Sequence, residues 1–332
     1  MKKGERIASI AMMLLFVSVS IFAHGQPERI NLKLGYSSPE SNPWHICAQK
    51  LAQYVSDNTN GNVTVSLFPA EVLGSDKQMA EMLKMGTLDM QICPQGVASD
   101  YAPELAAIGL PFLFDSNEQA AKFLDGPVGA ELVKNLPEKQ GMRALAYWEN
   151  GMRQTTNNVR PIKDPADLKG MKIRTPNDKM TISIYKALGA NPAPLAYNEL
   201  YMALSQGVFD GQENPVVNIH ASKLYEVQKY LSFTNHKYEC KVFLISENTW
   251  KKLSPEYQKV VNDAAKKFAI ENREMFAQED KELQEDLVAK GMSLNTPNLE
   301  PFRKATASVY DEWRKTLGTD LVNKVIAAAQ AK

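Results

Sequence analysis

The chain has 332 residues, and its 38 Lys and Arg exactly offset its 38 Asp and Glu. No basic block offers itself to nucleic acid. Cys47, Cys93 and Cys240 are too few and too scattered for a disulfide framework, leaving one bridge or buried free thiols open, and the four histidines lack zinc-ligand spacing.

Lys2, Lys3 and Arg6 precede an apolar run over 7–23 that ends in Ala23-His24-Gly25. A basic start, an apolar run and small residues at the cut predict a secretory signal peptide over residues 1–25, with an uncleaved anchor as the other reading. No later segment is long and apolar enough to span a bilayer, so the mature chain is expected to be soluble and exported. Residues 26–332 exceed what one core usually takes, so two domains are expected.

Strand patterns at 30–37, 63–68 and 88–93 alternate with helical patterns at 43–59 and 75–85, the second opened by Ser75 as N-cap. These spacings predict parallel βαβ units. An apolar, Pro-broken stretch at 108–114 leads to a helix near 117–135 and a strand at 142–148. After Gly151 the pattern restarts. It gives strand TTNN, strand MKIRTP (171–176), helix 178–188, strand ANPAPLA (190–196), helix 198–206 and the short buried VFDGQE (208–213). The apolar strand at 241–250 is assigned back to the first sheet. The tract 255–290 is long for one globular helix and is expected to run across both units, followed by an amphipathic helix pair at 301–330. The fold class is therefore α/β with two lobes, each a mixed sheet flanked by helices. The expected boundaries are 26–148 with 239–276 for lobe one, 149–238 with 277–306 for lobe two, and 307–332 as a C-terminal helical segment.

Two arginines stand out. Arg174 ends a strand that Pro176 terminates, so its planar fork points at the carboxyl edge of a sheet, where ligands of α/β proteins bind. Arg153 lies in the turn-rich NGMRQTT. Each could clamp a carboxylate or form a structural ion pair, and the sequence leaves both readings open. There is no GxSxG elbow, phosphate-cradling glycine loop, metal cluster or Cys–His pair, so no catalytic residue, cofactor or metal is expected. Ser205 and Ser222 are read as structural. Two lobes with chain crossings on an exported protein describe a hinged binding protein.

The motifs LFPAEVLGSDKQMAEMLKMGTLDM (67–90), ENGMRQTTNN (149–158), LKGMKIRTPN (168–177), APLAYNELYMALSQGVFDGQENP (193–215) and KYLSFTNH (229–236) resemble those of the solute-binding proteins of tripartite ATP-independent periplasmic (TRAP) transporters. NGMRQTTNN and DGQENP place the nearest likeness in the sialic-acid-binding branch. The resemblance implies a two-lobed periplasmic binding protein of type II-like architecture with a long helix spanning both lobes. It makes Arg174 the partner of a ligand carboxylate, Arg153 a second arginine on the same group and Asn214 a hydrogen-bonding residue. It also makes Tyr197 a packing aromatic and Asp76 an acidic residue near the pocket. The sialic-acid branch carries a Glu and an Arg where this chain has Pro94 and Val97. In the same loop Gln95 is a candidate contact, as are His45, in a divergent N-terminal loop, and Glu149. His45 could equally be a solvated histidine at a helix start, and Trp44 is read as core. The expected function is a monomeric periplasmic receptor for an organic acid, a uronate or aldonate smaller than sialic acid, that delivers ligand to TRAP membrane subunits. The alternatives are a C4-dicarboxylate receptor and an exported hydrolase or lyase.

Overall fold

The protein is described here by a computed structural model covering residues 29–331, so the expected signal segment lies outside the described residues. The first sheet grows from β1 (Ile30–Gly35), α1 (Pro43–Asn58), β2 (Val63–Phe68), α2 (Asp76–Met85) and β3 (Met90–Pro94). β1 runs parallel to both β2 and β3, as helical crossovers require. Asn42 caps α1 by accepting from the Trp44 amide, and Pro43 occupies the first turn, where its missing N–H costs nothing. Ser75 and Gln78 form the reciprocal capping box of α2, so the expected N-cap is in place.

A one-turn α3 (Gln95–Ala98) precedes the apolar stretch that turns past Leu110. The single helix expected near 117–135 is broken into α4 (Asn117–Leu124) and α5 (Pro127–Val133), with α6 (Leu136–Gln140) beyond. Gly126-Pro127 causes the break, because proline cannot continue the preceding turn. β4 (Met142–Met152) is longer than expected, and the chain leaves the first sheet at Arg153 rather than at 148.

The second sheet is built from β5 (Gln154–Asn157), β6 (Lys172–Thr175), α7 (Lys179–Ala187), β7 (Asn191–Pro194), α8 (Leu200–Ser205), β8 (Gly211–Asn214), α9 (Val216–Ala221) and β9 (Tyr230–Ser232). β10 (Tyr238–Ser246) returns to the first sheet, antiparallel between β3 and β4, as its apolar sequence suggested. After α10 (Glu247–Lys252), α11 (Pro255–Ala289) leads to β11 (Ser293–Asn295), a strand that the sequence reading missed. The sheet orders are β2-β1-β3-β10-β4 and β11-β9-β5-β8-β6-β7. Three helices, α12 (Glu300–Ala305), α13 (Ala307–Leu317) and α14 (Thr319–Gln330), replace the expected pair.

α11 packs on α1 and β4 and then on α9, so it does span both lobes. Val261, Ala264, Ala265 and Phe268 enter the core of the first lobe, whereas Leu287 enters that of the second. A third apolar cluster joins Met79 and Leu83 to Ile173, Met180 and Ile184, and takes in Trp313 and Val325 of the C-terminal helices. All three cysteines are buried and free.

The lobes also meet where α3 lies against the start of α7. A Cβ on Gly96 would stand 2.5 Å from the Cβ of Asp178, whose side chain caps α7 and pairs with the buried Lys237. Gly96→Ala is therefore expected to destabilise the fold by about 1–3 kcal/mol, as overpacking does. Denaturant melts of variant and wild type check this.

Candidate ligand cleft between the lobes

The carboxyl ends of the parallel strands β1, β3, β6 and β7 converge on a cleft of about 290 Å³. Ser37, Asp76 and Lys241 line it from one lobe, and Arg174, Tyr197 and Asn214 from the other. The lobes already touch across it. The Asn198 amide donates to Glu71 Oε2 at 2.9 Å, and Asn42 Nδ2 donates to Asn218 Oδ1 at 2.9 Å.

Arg153 sits where the chain passes between sheets, and its amide donates to the Lys237 carbonyl of the return crossing at 2.8 Å. Its guanidinium is 2% exposed and pairs with Glu213 of β8 and Glu239 of β10. Nη2 also donates to Asn214 Oδ1 at 3.1 Å. Burial alone would raise the Glu213 pKa, but the Arg153 charge and the His236 hydrogen bond outweigh it and hold the carboxylate down at about 2. For Arg153 the ion-pair reading is the one the structure shows: its donors are taken, and it orients Asn214 from behind.

Arg174 is equally buried but differs in kind. Nε and Nη2 both donate to the Leu195 carbonyl, at 3.0 and 2.6 Å, which fixes the plane of the fork. It forms no ion pair among the described residues, and burial pushes its pKa down to about 10, more than the Glu213 charge restores. A buried cation without an anion is costly, and here it faces the cleft. Tyr197 offers it a ring face, 5.8 Å from guanidinium carbon to ring centroid, while the Tyr197 hydroxyl is engaged by Ser222 at 2.7 Å.

Arg174, Arg153, Asn214, Tyr197 and Asp76 thus converge on one cleft, whereas His45, Gln95 and Glu149 do not line it. His45 is buried with Nδ1 2.7 Å from the hydroxyl of Tyr36, just past the end of β1, and so is neither solvated nor in the cleft. Gln95 turns inward to donate to the Leu105 carbonyl at 2.7 Å. The register of β4 against β10 slips between Glu149 and Gly151, and this bulge leaves Asn150 in the cleft and Glu149 outside it. Burial pushes the stranded Glu149 carboxyl up to about 7. Pro94 and Val97 do line the cleft, as an apolar wall.

Glu71, Asn150, Asn218, Glu239 and Lys241 also line the cleft and were missed. Two of them left a trace in the sequence. Glu239 and Lys241 are charged residues two apart in an otherwise apolar strand, and so share one face. Lys241 holds its ammonium 4.3 Å from the Trp44 ring centroid and forms no ion pair among the described residues. Trp44 contributes both to the core and to the cleft wall.

Two lobes, two crossing segments and a spanning helix around a polar interlobe cleft define a hinged solute-binding protein. Over residues 34–316 the chain matches the bacterial extracellular solute-binding proteins of family 7 (DctP), and it belongs to that family. It is 33% identical to the 2,3-diketo-L-gulonate-binding periplasmic protein YiaO of Escherichia coli, over 88% of each chain, and 31% identical to the sialic acid-binding periplasmic protein SiaP of Vibrio cholerae, over 96% and 98%. The sialic-acid branch is thus one among several that it resembles. Protein y4mM of Sinorhizobium fredii is 45% identical over 86% of this chain, which spans only 53% of that longer protein. Among solved structures, a TRAP periplasmic solute-binding protein of Polaromonas sp. JS666 bound to D-erythronate superposes with a TM-score of 0.88 at 35% identity, covering 92% of this chain and 100% of that one. The sugar acid binding protein DctPAm of Advenella mimigardefordensis, in complex with galactonate, gives 0.89 at 31% identity, covering 92% and 99%.

Removing Arg153 would strand two buried carboxylates. Arg153→Ala is expected to cost about 3–5 kcal/mol of stability in the ligand-free protein, which thermal melting would show. Glu149 has the opposite effect on the pH profile. Its folded pKa of about 7 lies above the ordinary value of about 4.3. The folded state therefore keeps a proton that the unfolded state loses, and stability falls as pH rises through that window. Glu149→Gln is expected to gain about 1–3 kcal/mol over wild type at pH 8 and little at pH 4.5, as paired denaturation curves would reveal.

Proposed function

We propose that this protein is the periplasmic solute receptor of a TRAP transporter, and that it binds a sugar acid of the aldonate or uronate type and presents it to the membrane subunits. The observation that carries this reading is Arg174, a buried guanidinium with its plane fixed by Leu195 and no carboxylate partner, set in a wall of amides and carboxylates. A ligand carboxylate meeting its free edge supplies the missing anion with charge-assisted hydrogen bonds, and a pre-oriented fork loses little freedom on binding. Asn150, Asn214 and Asn218 present donors and acceptors suited to ligand hydroxyls. The family is one of solute-binding proteins, and relatives named for 2,3-diketo-L-gulonate, D-erythronate and galactonate support the substrate class. On this reading residues 1–25 direct export and are removed, and the lobes close about the crossings at Arg153 and Lys237 when ligand enters.

Calorimetric titration with D-galactonate, L-gulonate and D-erythronate tests the assignment. Wild type should bind at least one of them. Arg174→Ala should lose about 2–5 kcal/mol of binding, and Arg174→Lys, which keeps the charge but not the planar fork, should lose part of that. Both ligand-free variants should lose much less stability than Arg153→Ala, because Arg174 forms no ion pair with a buried carboxylate among the described residues. Full affinity in Arg174→Ala would refute the carboxylate clamp.

A further inference from the structure

Glu71 is the residue around which the mouth of the cleft is built, and no sequence motif singled it out. It lies in the turn after β2, 5% exposed. One carboxylate oxygen accepts from the Asp76 amide at 3.1 Å, in the first turn of α2, and the other from the Asn198 amide at 2.9 Å, on the opposite lobe. A single carboxylate thus bridges the two lobes above the cleft. The backbone that carries it is strained. Ala70 and Glu71 are consecutive non-glycine residues in the left-handed region, with φ of 53° and 56°. Their amides are held by the carbonyls of Ser38 and Tyr36, at 2.9 and 3.2 Å. Side chains held in this region by their surroundings concentrate at functional sites.

Asp76 stands beside Glu71, 9% exposed, with Oδ1 lacking any hydrogen-bond partner on the cleft wall. The ammonium of Lys241 and the guanidinium of Arg174 are the cations that act on this wall, and neither forms a salt bridge with either carboxylate. Once a ligand carboxylate balances Arg174, two carboxylates against the Lys241 ammonium leave a net charge of −1 when all are ionised. Arg153 cannot offset it, because Glu213 and Glu239 already occupy its guanidinium.

We propose that Glu71 is a specificity-determining latch: together with Asp76 it accepts hydrogen bonds from the hydroxyls of the ligand and rejects a second carboxylate, so the cleft selects monocarboxylate sugar acids over the matching diacids. This rests on the sugar-acid reading of the same cleft. A hydroxyl donates to a carboxylate, whereas a carboxylate has no proton to donate and adds like charge in a site that excludes water. Selectivity then comes from repulsion at this wall as well as attraction at Arg174.

The test uses pairs of acids that share one carbon skeleton: D-galactonate with galactarate, L-gulonate with D-glucarate, and D-erythronate with meso-tartrate. Affinities are measured by calorimetry on the mature protein at pH 8, above the value of about 7 to which burial and the Asp76 charge push the Glu71 carboxyl. Wild type is expected to prefer the monoacid of whichever pair it binds by on the order of 100-fold. Glu71→Gln keeps the size of the side chain but loses the charge and one acceptor. It should bind that monoacid more weakly and shrink the preference at least about tenfold. Glu71→Ala should shrink it as well, which covers any misplacement of the glutamine amide. An unchanged preference in both variants, or a wild type that favours the diacid, overturns the latch while leaving the sugar-acid reading standing. Wild type that binds no acid of any pair removes that reading, and the latch with it.

Discussion

Arg153 is the constraint on which the rest of the site depends. It occupies the residue at which the chain changes sheets, and its guanidinium holds Glu213 of the second sheet and Glu239 of the first in one buried cluster. Desolvating three charges is expensive, and the cost is offset only because nearly every donor finds an acceptor of opposite charge or a carbonyl. With the hydrogen bond that the Arg153 amide donates to the Lys237 carbonyl, this cluster fixes two of the three crossings side by side.

Arg174 is the counterpart. The two arginines are buried to the same degree, yet one is saturated and the other is left without an anion. The contrast separates a paired from an unpaired arginine more clearly than location does, because both side chains line the same cleft. The cleft wall opposite holds carboxylates whose protonation is pushed upward by burial, Glu71 to about 7. The cleft is therefore cationic at one fork and acidic at the other wall.

The departure at Pro94 and Val97 acquires a physical meaning in the fold. Both face the cleft, so the wall at which the resemblance implied a charged pair is apolar here. Gln95 between them is drawn into the protein by the Leu105 carbonyl, and Gly96 allows the second lobe to approach. Loss of polar partners and close approach of the lobes together leave a cleft of about 290 Å³, near the small end for ligand sites.

Much of this was legible in the sequence because it depends on local periodicity. The alternation around β1 to β3, the capping residue Ser75, the apolar run of β10 and the length of α11 each follow from patterns within a few turns or strands. The motifs around Arg174, Asn214, Tyr197 and Asp76 led to residues that meet in one cleft. What the sequence could not decide depends on partners distant in the chain. Whether an arginine is paired or free is settled by Glu213 and Glu239, 60 and 86 residues from Arg153. A one-residue slip of β4 against β10 exchanged Asn150 for Glu149, since side chains alternate faces and a bulge reverses the choice. His45 and Gln95 were claimed by Tyr36 and Leu105 in the interior, and Glu71 gained its place only when the second lobe brought the Asn198 amide to it. Local pattern determines which element a residue belongs to, but charge compensation and closure between lobes are properties of the assembled tertiary structure, because they depend on distances that only the packed chain defines.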